Sequence, residues 1–228
     1  MQHRAIILAL AVVLSAACAA PARLALRRSP LVDAPRGPLT PEGRAHPLPS
    51  LDSGRPEADV PGEEIAKTAR EYLGARAIVA DGRRFPDDCT GLVRAVFFRH
   101  GIDLFRQAEG DSGVAAIWRY AQRHGSLHRE KPRPGDIVFF NETYDRNRDG
   151  RENDGLTHVG IVDRVDADGT VLVIHRVARG VVTYRMNVER ARERADARGH
   201  VLNDWLRAGK DAKLAGELFA GYGTLARN

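Results

Sequence analysis

The chain has 228 residues, a formal net charge of +5, two cysteines and 43% apolar residues, which suits one domain of ordinary size with extensions. The positive charge is modest and spread along the chain, so it fits an anionic envelope polymer or a membrane surface. There is no nucleic-acid motif, no internal repeat and no appended wall-binding repeat, and no nucleic-acid partner is expected.

The chain begins Met1-Gln2-His3-Arg4 and continues in thirteen apolar or small residues, Ala5 to Ala17. That run is short for a bilayer span and matches the core of an export signal. Leu14-Ser15-Ala16-Ala17-Cys18 resembles a bacterial lipoprotein signal, with Cys18 as the lipidated residue; ordinary cleavage after Ala19 or Ala20 is the alternative. Residues 1–19 are therefore expected to be a signal peptide. Either cleavage exports the mature chain, to the periplasm or to an outer-membrane anchor, and leaves Cys89 without an intramolecular partner. Residues 20–59 hold eight prolines and no apolar period, which predicts an extended, disordered tether. The compact domain is expected over 60–228.

Ile65, Ala66, Ala69, Tyr72 and Leu73 predict a helix over Glu63–Leu73. Next comes a loop, Arg83-Arg84-Phe85-Pro86-Asp87-Asp88. A second helix is marked by Leu92, Val93, Val96 and Phe97 and stopped by His100-Gly101. Asp88 is its expected N-cap, so Cys89 falls in the first turn, where free N–H groups and the helix dipole favour a thiolate near neutral pH. Val114 to His124 predicts a third helix, and Asp136 to Phe140 a continuous apolar strand.

Asp145-Arg146-Asn147-Arg148-Asp149-Gly150 has oxygen side chains at positions 1, 3 and 5 and glycine at 6, as in the first half of a calcium loop. Position 12 is Leu156, which excludes a full EF-hand, and Asp154 is the candidate closing ligand. Asp145, Asn147, Asp149 and Asp154 are thus candidate ligands for a structural calcium, against the alternative of a solvated turn.

Two strand-like runs follow, Thr157–Val162 and Val171–His175, joined by the turn signal Asp166-Ala167-Asp168-Gly169. A four-residue loop pairs Val165 with Thr170 and sets His175 opposite Gly160. His158, two residues along on the same face, is then close enough for the two rings to meet. A thiol nucleophile, an imidazole base and a third group that orients the base are the parts of a cysteine acyl-transfer site. Beyond the hairpin, Gly180 to Met186 predicts another strand. The charge-dense stretch Glu189 to Arg198 reads as a solvated helix. Val201, Leu202, Trp205 and Leu206, with Leu214, Leu218, Phe219 and Tyr222, read as a helical extension docked on the domain.

From about Pro61 to Met186 the chain resembles the NlpC-type cell-wall cysteine peptidases. The resemblance rests on Asp88-Cys89-Thr90-Gly91-Leu92-Val93-Arg94, then Arg133–Phe140, then His158–Val162, then Ile174-His175, in that order. The related CHAP amidases share the general plan. Thr90 stands where the family usually has serine, and Gly74–Arg84 lacks the tyrosine-containing approach to the cysteine, although Tyr72 is nearby. The resemblance implies an α+β, papain-like fold: N-terminal helices, with the cysteine at a helix start, packed on an antiparallel sheet carrying the histidines. It implies Cys89 as nucleophile, His158 as general base and His175 as the third polar residue, with no cofactor required. The implied substrate is an amide of the peptidoglycan stem peptide, after D-glutamate. The rival readings are a non-catalytic envelope-binding module of the same fold, and a zinc site using Cys89, His158 and His175.

Overall fold

Residues 60–106 and 113–226 are described by the structure, a computed structural model. The expected signal peptide, Cys18 and the proline-rich stretch lie outside the described residues. Among the described residues, no helix is long and apolar enough to cross a membrane.

In chain order the elements are α1 (Gly62–Arg70), β1 (Ile78–Ala80), β2 (Arg83–Phe85), α2 (Cys89–Phe98), α3 (Val114–His124), β3 (Ser126–His128), β4 (Ile137–Asn141), β5 (Leu156–Val165), β6 (Val171–Val177), β7 (Gly180–Met186), β8 (Trp205–Arg207), β9 (Lys213–Leu214), a 3₁₀ turn (Gly216–Leu218) and β10 (Phe219–Thr224). β1 pairs with β2 and β8 with β9, while six strands form one antiparallel sheet in the order β3-β10-β4-β5-β6-β7.

Strand alternation divides the buried side chains between two layers. Ile137, Phe139, Val159, Ile161 and Ile174 pack with Ile65 of α1, Leu92 and Val96 of α2 and Ile117 of α3. Val138, Phe140, Val162, Val171 and Val173 pack instead with Met186, Leu218, Phe219 and Tyr222. The central strands are covered on both faces, which explains why β4 is apolar at every position from Ile137 to Phe140.

α3 and β7 have the bounds the sequence predicts. α1 stops at Arg70, short of the expected Leu73, because the chain turns at Gly74 (φ 79°), whose N–H donates to the Val181 carbonyl. Leu73 is consequently exposed.

The C-terminal region departs from the helical expectation altogether. Glu189–Arg198 forms turns rather than a helix. Its carbonyls find partners elsewhere: the fully buried Asn203 side chain donates to the carbonyls of Arg190 and Glu193, and accepts from the N–H groups of Asn187 and Gly216. Trp205–Arg207 is a strand, and Phe219–Thr224 enters the sheet between β3 and β4. A bulge explains the misleading spacing. Phe219 faces Phe140 and Gly221 faces Phe139, so Ala220 is the extra residue. The bulge turns Phe219 and Tyr222 to one face, which reproduces the i, i+3 interval of a helix.

Candidate active site

Asp88 has extended backbone (φ −134°, ψ −177°), and its carboxylate accepts from the Gly91 N–H and the Thr90 hydroxyl, both at 2.8 Å. This is the expected N-cap, and it makes Cys89 the first residue of α2. Gly91 allows the helix to start there. A Cβ on Gly91 would lie 1.8 Å from the Pro86 carbonyl oxygen, so the loop and the helix backbone touch directly.

The histidine hairpin has the expected register near the site, reached by an unexpected route. At the turn, Val165 pairs with Val171, not Thr170. A bulge between Val162 and Arg164 then takes up one residue, and Ile161 faces Ile174. One step further, Gly160 meets His175; a Cβ on Gly160 would lie 3.1 Å from the His175 Cβ and 2.6 Å from a methyl of Val173. His158 Nε2 lies 2.8 Å from His175 Nδ1. His158 faces Phe140 across the sheet, and the Tyr184 ring packs on His175 at 4.4 Å and 66°.

Cys89 and His158 line one cavity of about 760 Å³, together with Asp88, Thr143, Tyr144, Arg146, Thr157, Arg176 and Leu206. Cys89 is half-buried, His158 and His175 are buried. The electrostatics differ from the thiolate expected at a helix start. Burial pushes the Cys89 thiol up to about 11, and the Asp88 carboxylate pushes the same way. The backbone N–H groups of Val159, Thr90 and Cys89 pull it down, but less. Burial also pulls His158 down to about 4, against the attraction of Asp88, and holds His175 well below the usual imidazole range. Burial thus favours a neutral thiol at Cys89 and a neutral imidazole at His158, more strongly than the backbone N–H groups favour the thiolate.

The hydrogen bond between the rings restricts their tautomers. If His158 keeps Nδ1 free to accept a proton, Nε2 carries hydrogen and donates to His175 Nδ1. His175 then carries its hydrogen on Nε2, which is buried without a hydrogen-bond partner. The Tyr184 ring lies beside it, tilted at 66° to the imidazole.

The acidic loop before β5 is braced by its own donors, except at Asp145 Oδ1, which is buried with no hydrogen-bond partner among the described residues. Asp154 accepts from the N–H groups of Arg146 and Asn147, Asp149 from the Arg151 N–H and the Asn153 amide, Asn147 from the Asp149 N–H, and Asp145 from the Gly150 N–H. Among the described residues, no three His, Cys, Asp or Glu side chains converge as a metal-ligand set, in this loop or at Cys89, His158 and His175. Thr143 and Thr157, which no local sequence pattern marks, hydrogen-bond to each other at 2.9 Å at the cavity wall. Leu206 reaches the wall from β8, a contribution hidden by the helical spacing of its neighbours.

Residues 79–176 match the family model of the CHAP domain. No curated protein and no solved structure gives a significant match. The matched segment contains Cys89, His158 and His175, and it relates this chain to the CHAP family of cell-wall peptidases and amidases.

Proposed function

We propose that the chain is a cysteine-type hydrolase of peptidoglycan stem-peptide amides, acting outside the cytoplasmic membrane. CHAP domains are typically hydrolases acting on peptidoglycan; the assignment of residues and bond is our reading. The observation that carries it is the 2.8 Å bond between His158 Nε2 and His175 Nδ1, beside a cavity that also holds Cys89.

In this reading His158 Nδ1 takes the Cys89 proton as the sulfur attacks the amide carbon. The proton moves during attack, because both groups rest neutral. The carbonyl oxygen becomes an oxyanion, and the Cys89 N–H is the candidate donor to it. His158 then protonates the leaving amine, and water, deprotonated by the same imidazole, releases the acyl group. His175 holds the His158 ring and accepts from it while it is charged. The bond most consistent with the NlpC resemblance is the one after D-glutamate. Lipidation at Cys18 would tether the domain through residues 20–59; the mass of the mature N-terminus tests it, and an unmodified Ala20 or Pro21 would reject it.

The raised thiol also favours a second reading, an envelope-binding module that retains the fold without turnover. One experiment separates the two. Isolated sacculi are digested with the wild-type chain and with Cys89→Ala, and the fragments are analysed by mass. New amino groups and shortened stems with wild type alone support the hydrolase. Tight binding without cleavage supports the module, and cleavage in the sugar strand overturns both.

A further inference from the structure

Four charged side chains line the cavity that holds Cys89 and His158: Asp87, Asp88, Arg146 and Arg176. Three are committed to partners within the chain. Asp87 accepts from the Ile78 N–H at 2.9 Å and from Arg84 at 2.6 Å. Asp88 caps α2. Arg146 lies against Asp154, with Nε 3.7 Å from a carboxylate oxygen and a terminal nitrogen donating to the main-chain carbonyl at 3.3 Å.

Arg176 is different. A terminal nitrogen donates to the Arg76 carbonyl at 3.2 Å, while its Nε is buried and has no hydrogen-bond partner among the described residues. No carboxylate among the described residues forms an ion pair with it. Asp87 is held below the usual carboxylate range chiefly by the Ile78 N–H and Arg84, with the charge of Arg176 the smallest contribution, and its two oxygens each already accept from one of those donors. Arg176 directly follows His175 on β6, and alternation turns it to the side of Ile174, which packs in the core layer of α2.

A guanidinium offers parallel N–H donors that match the two oxygens of a carboxylate, and burying an unpaired donor is costly. We infer that Arg176 binds a carboxylate that the substrate carries beside its scissile amide. The inference rests on the amide-hydrolase reading above. In a stem peptide continued through the side-chain carboxyl of D-glutamate, the α-carboxylate remains free next to that amide. It is a planar anion of the kind this donor edge fits.

Binding is measured in the full chain carrying Cys89→Ala, so that no turnover is needed. The probes are two synthetic γ-D-glutamyl stem peptides, identical except for an α-carboxylate in one and an α-carboxamide in the other. Calorimetric titration should find the acid bound at least about tenfold more tightly, about 1.4 kcal/mol. Arg176→Gln in the same background should bring the acid to the affinity of the amide, and Arg176→Lys should keep part of the preference. A melting temperature close to the parent's shows that each variant is folded. Equal affinities in the parent, an equal loss for both peptides in Arg176→Gln, or binding of neither peptide overturns the assignment. Cleavage of sacculi by wild type is scored separately. Its absence counts against the hydrolase reading, while the ratio of affinities still judges Arg176.

Discussion

Arg70 of α1 holds the carboxylate of Asp163, the residue at which β5 slips its register against β6. A terminal nitrogen of the same guanidinium also donates to the Asp163 carbonyl at 3.3 Å. Asp163 is buried and Arg70 half-exposed, so the pair fastens the bulge from the helical side. Arg70→Ala should cost about 1–2 kcal/mol of stability, the scale of a hydrogen bond to a charged group. If the bulge sets the positions of His158 and His175, hydrolysis should fall more than that stability loss explains. Chemical denaturation alongside turnover measures both. Unchanged turnover in a destabilised variant would leave the pair a purely structural tie.

The neutral resting pair sets the pH dependence. His158 serves as base only while unprotonated, so kcat/KM should hold from neutral pH down to about pH 5 and fall through about 4. Alkylation of Cys89 by iodoacetamide should be slower at pH 7 than that of an ordinary thiol. It should then rise about tenfold per pH unit toward the raised thiol pKa. A fast, flat alkylation profile between pH 5 and 8 would instead reveal a thiolate–imidazolium pair and refute the neutral one.

The same burial links His158 to folding. Its folded pKa is about 4, below the usual imidazole value of 6.5, so the unfolded chain binds the proton more readily. The neutral ring's stabilisation is full above pH 6.5 and is lost as pH falls toward 4, amounting to about 3 kcal/mol. His175 acts in the same direction. The melting temperature should therefore fall between pH 6.5 and 4.5, and His158→Gln should flatten that slope. An equal slope in the variant would assign the loss to other groups.

Gly91 tests the mounting of the nucleophile. Alanine there would drive a methyl group into the Pro86 carbonyl, a backbone atom that cannot rotate away. Gly91→Ala should lower stability by about 1–3 kcal/mol, as overpacking does. It should also lower kcat more than it raises KM, because Cys89 is displaced while most of the cavity wall remains. Normal stability and kcat would mean that the loop yields freely.

In the loop from Asp145 to Asp154 most of the candidate ligand oxygens accept from the loop's own donors, while Asp145 Oδ1 is buried with no hydrogen-bond partner among the described residues. Millimolar calcium should leave the melting temperature unchanged, whereas Asp154→Ala should lower it by removing the acceptor for two backbone N–H groups. A calcium-dependent rise that disappears in Asp149→Ala would show instead that Asp145, Asn147, Asp149 and Asp154 hold the ion.

The site was legible where chemistry and local pattern coincide. Asp88 before an apolar helix marks the cap, and period 2 carries His158 and His175 to one face. The hairpin register came out right at Ile161 although the turn pairing did not, because the longer turn and the bulge at Asp163 offset each other. Nothing in the local pattern marks that bulge; its support comes from Arg70, 93 residues away. Phe219 and Tyr222 misled for the same kind of reason, since a bulged strand can imitate helical spacing. At Cys89 the helix start is visible in sequence, whereas the burial that pushes the thiol up arises only on packing.

The position of β10 has a consequence for the order of assembly. Among the described residues β3 pairs in the sheet only with β10, and β4 gains its second neighbour only when β10 arrives. The ribosome must therefore release the chain beyond Thr224 before the sheet is continuous. The helix that begins at Cys89 and the histidine hairpin are made earlier and wait for β10. A chain cut before Phe219 would present β4 as an open edge, prone to pair with other chains. Completion of the sheet that carries His158 and His175 is thus tied to the arrival of β10.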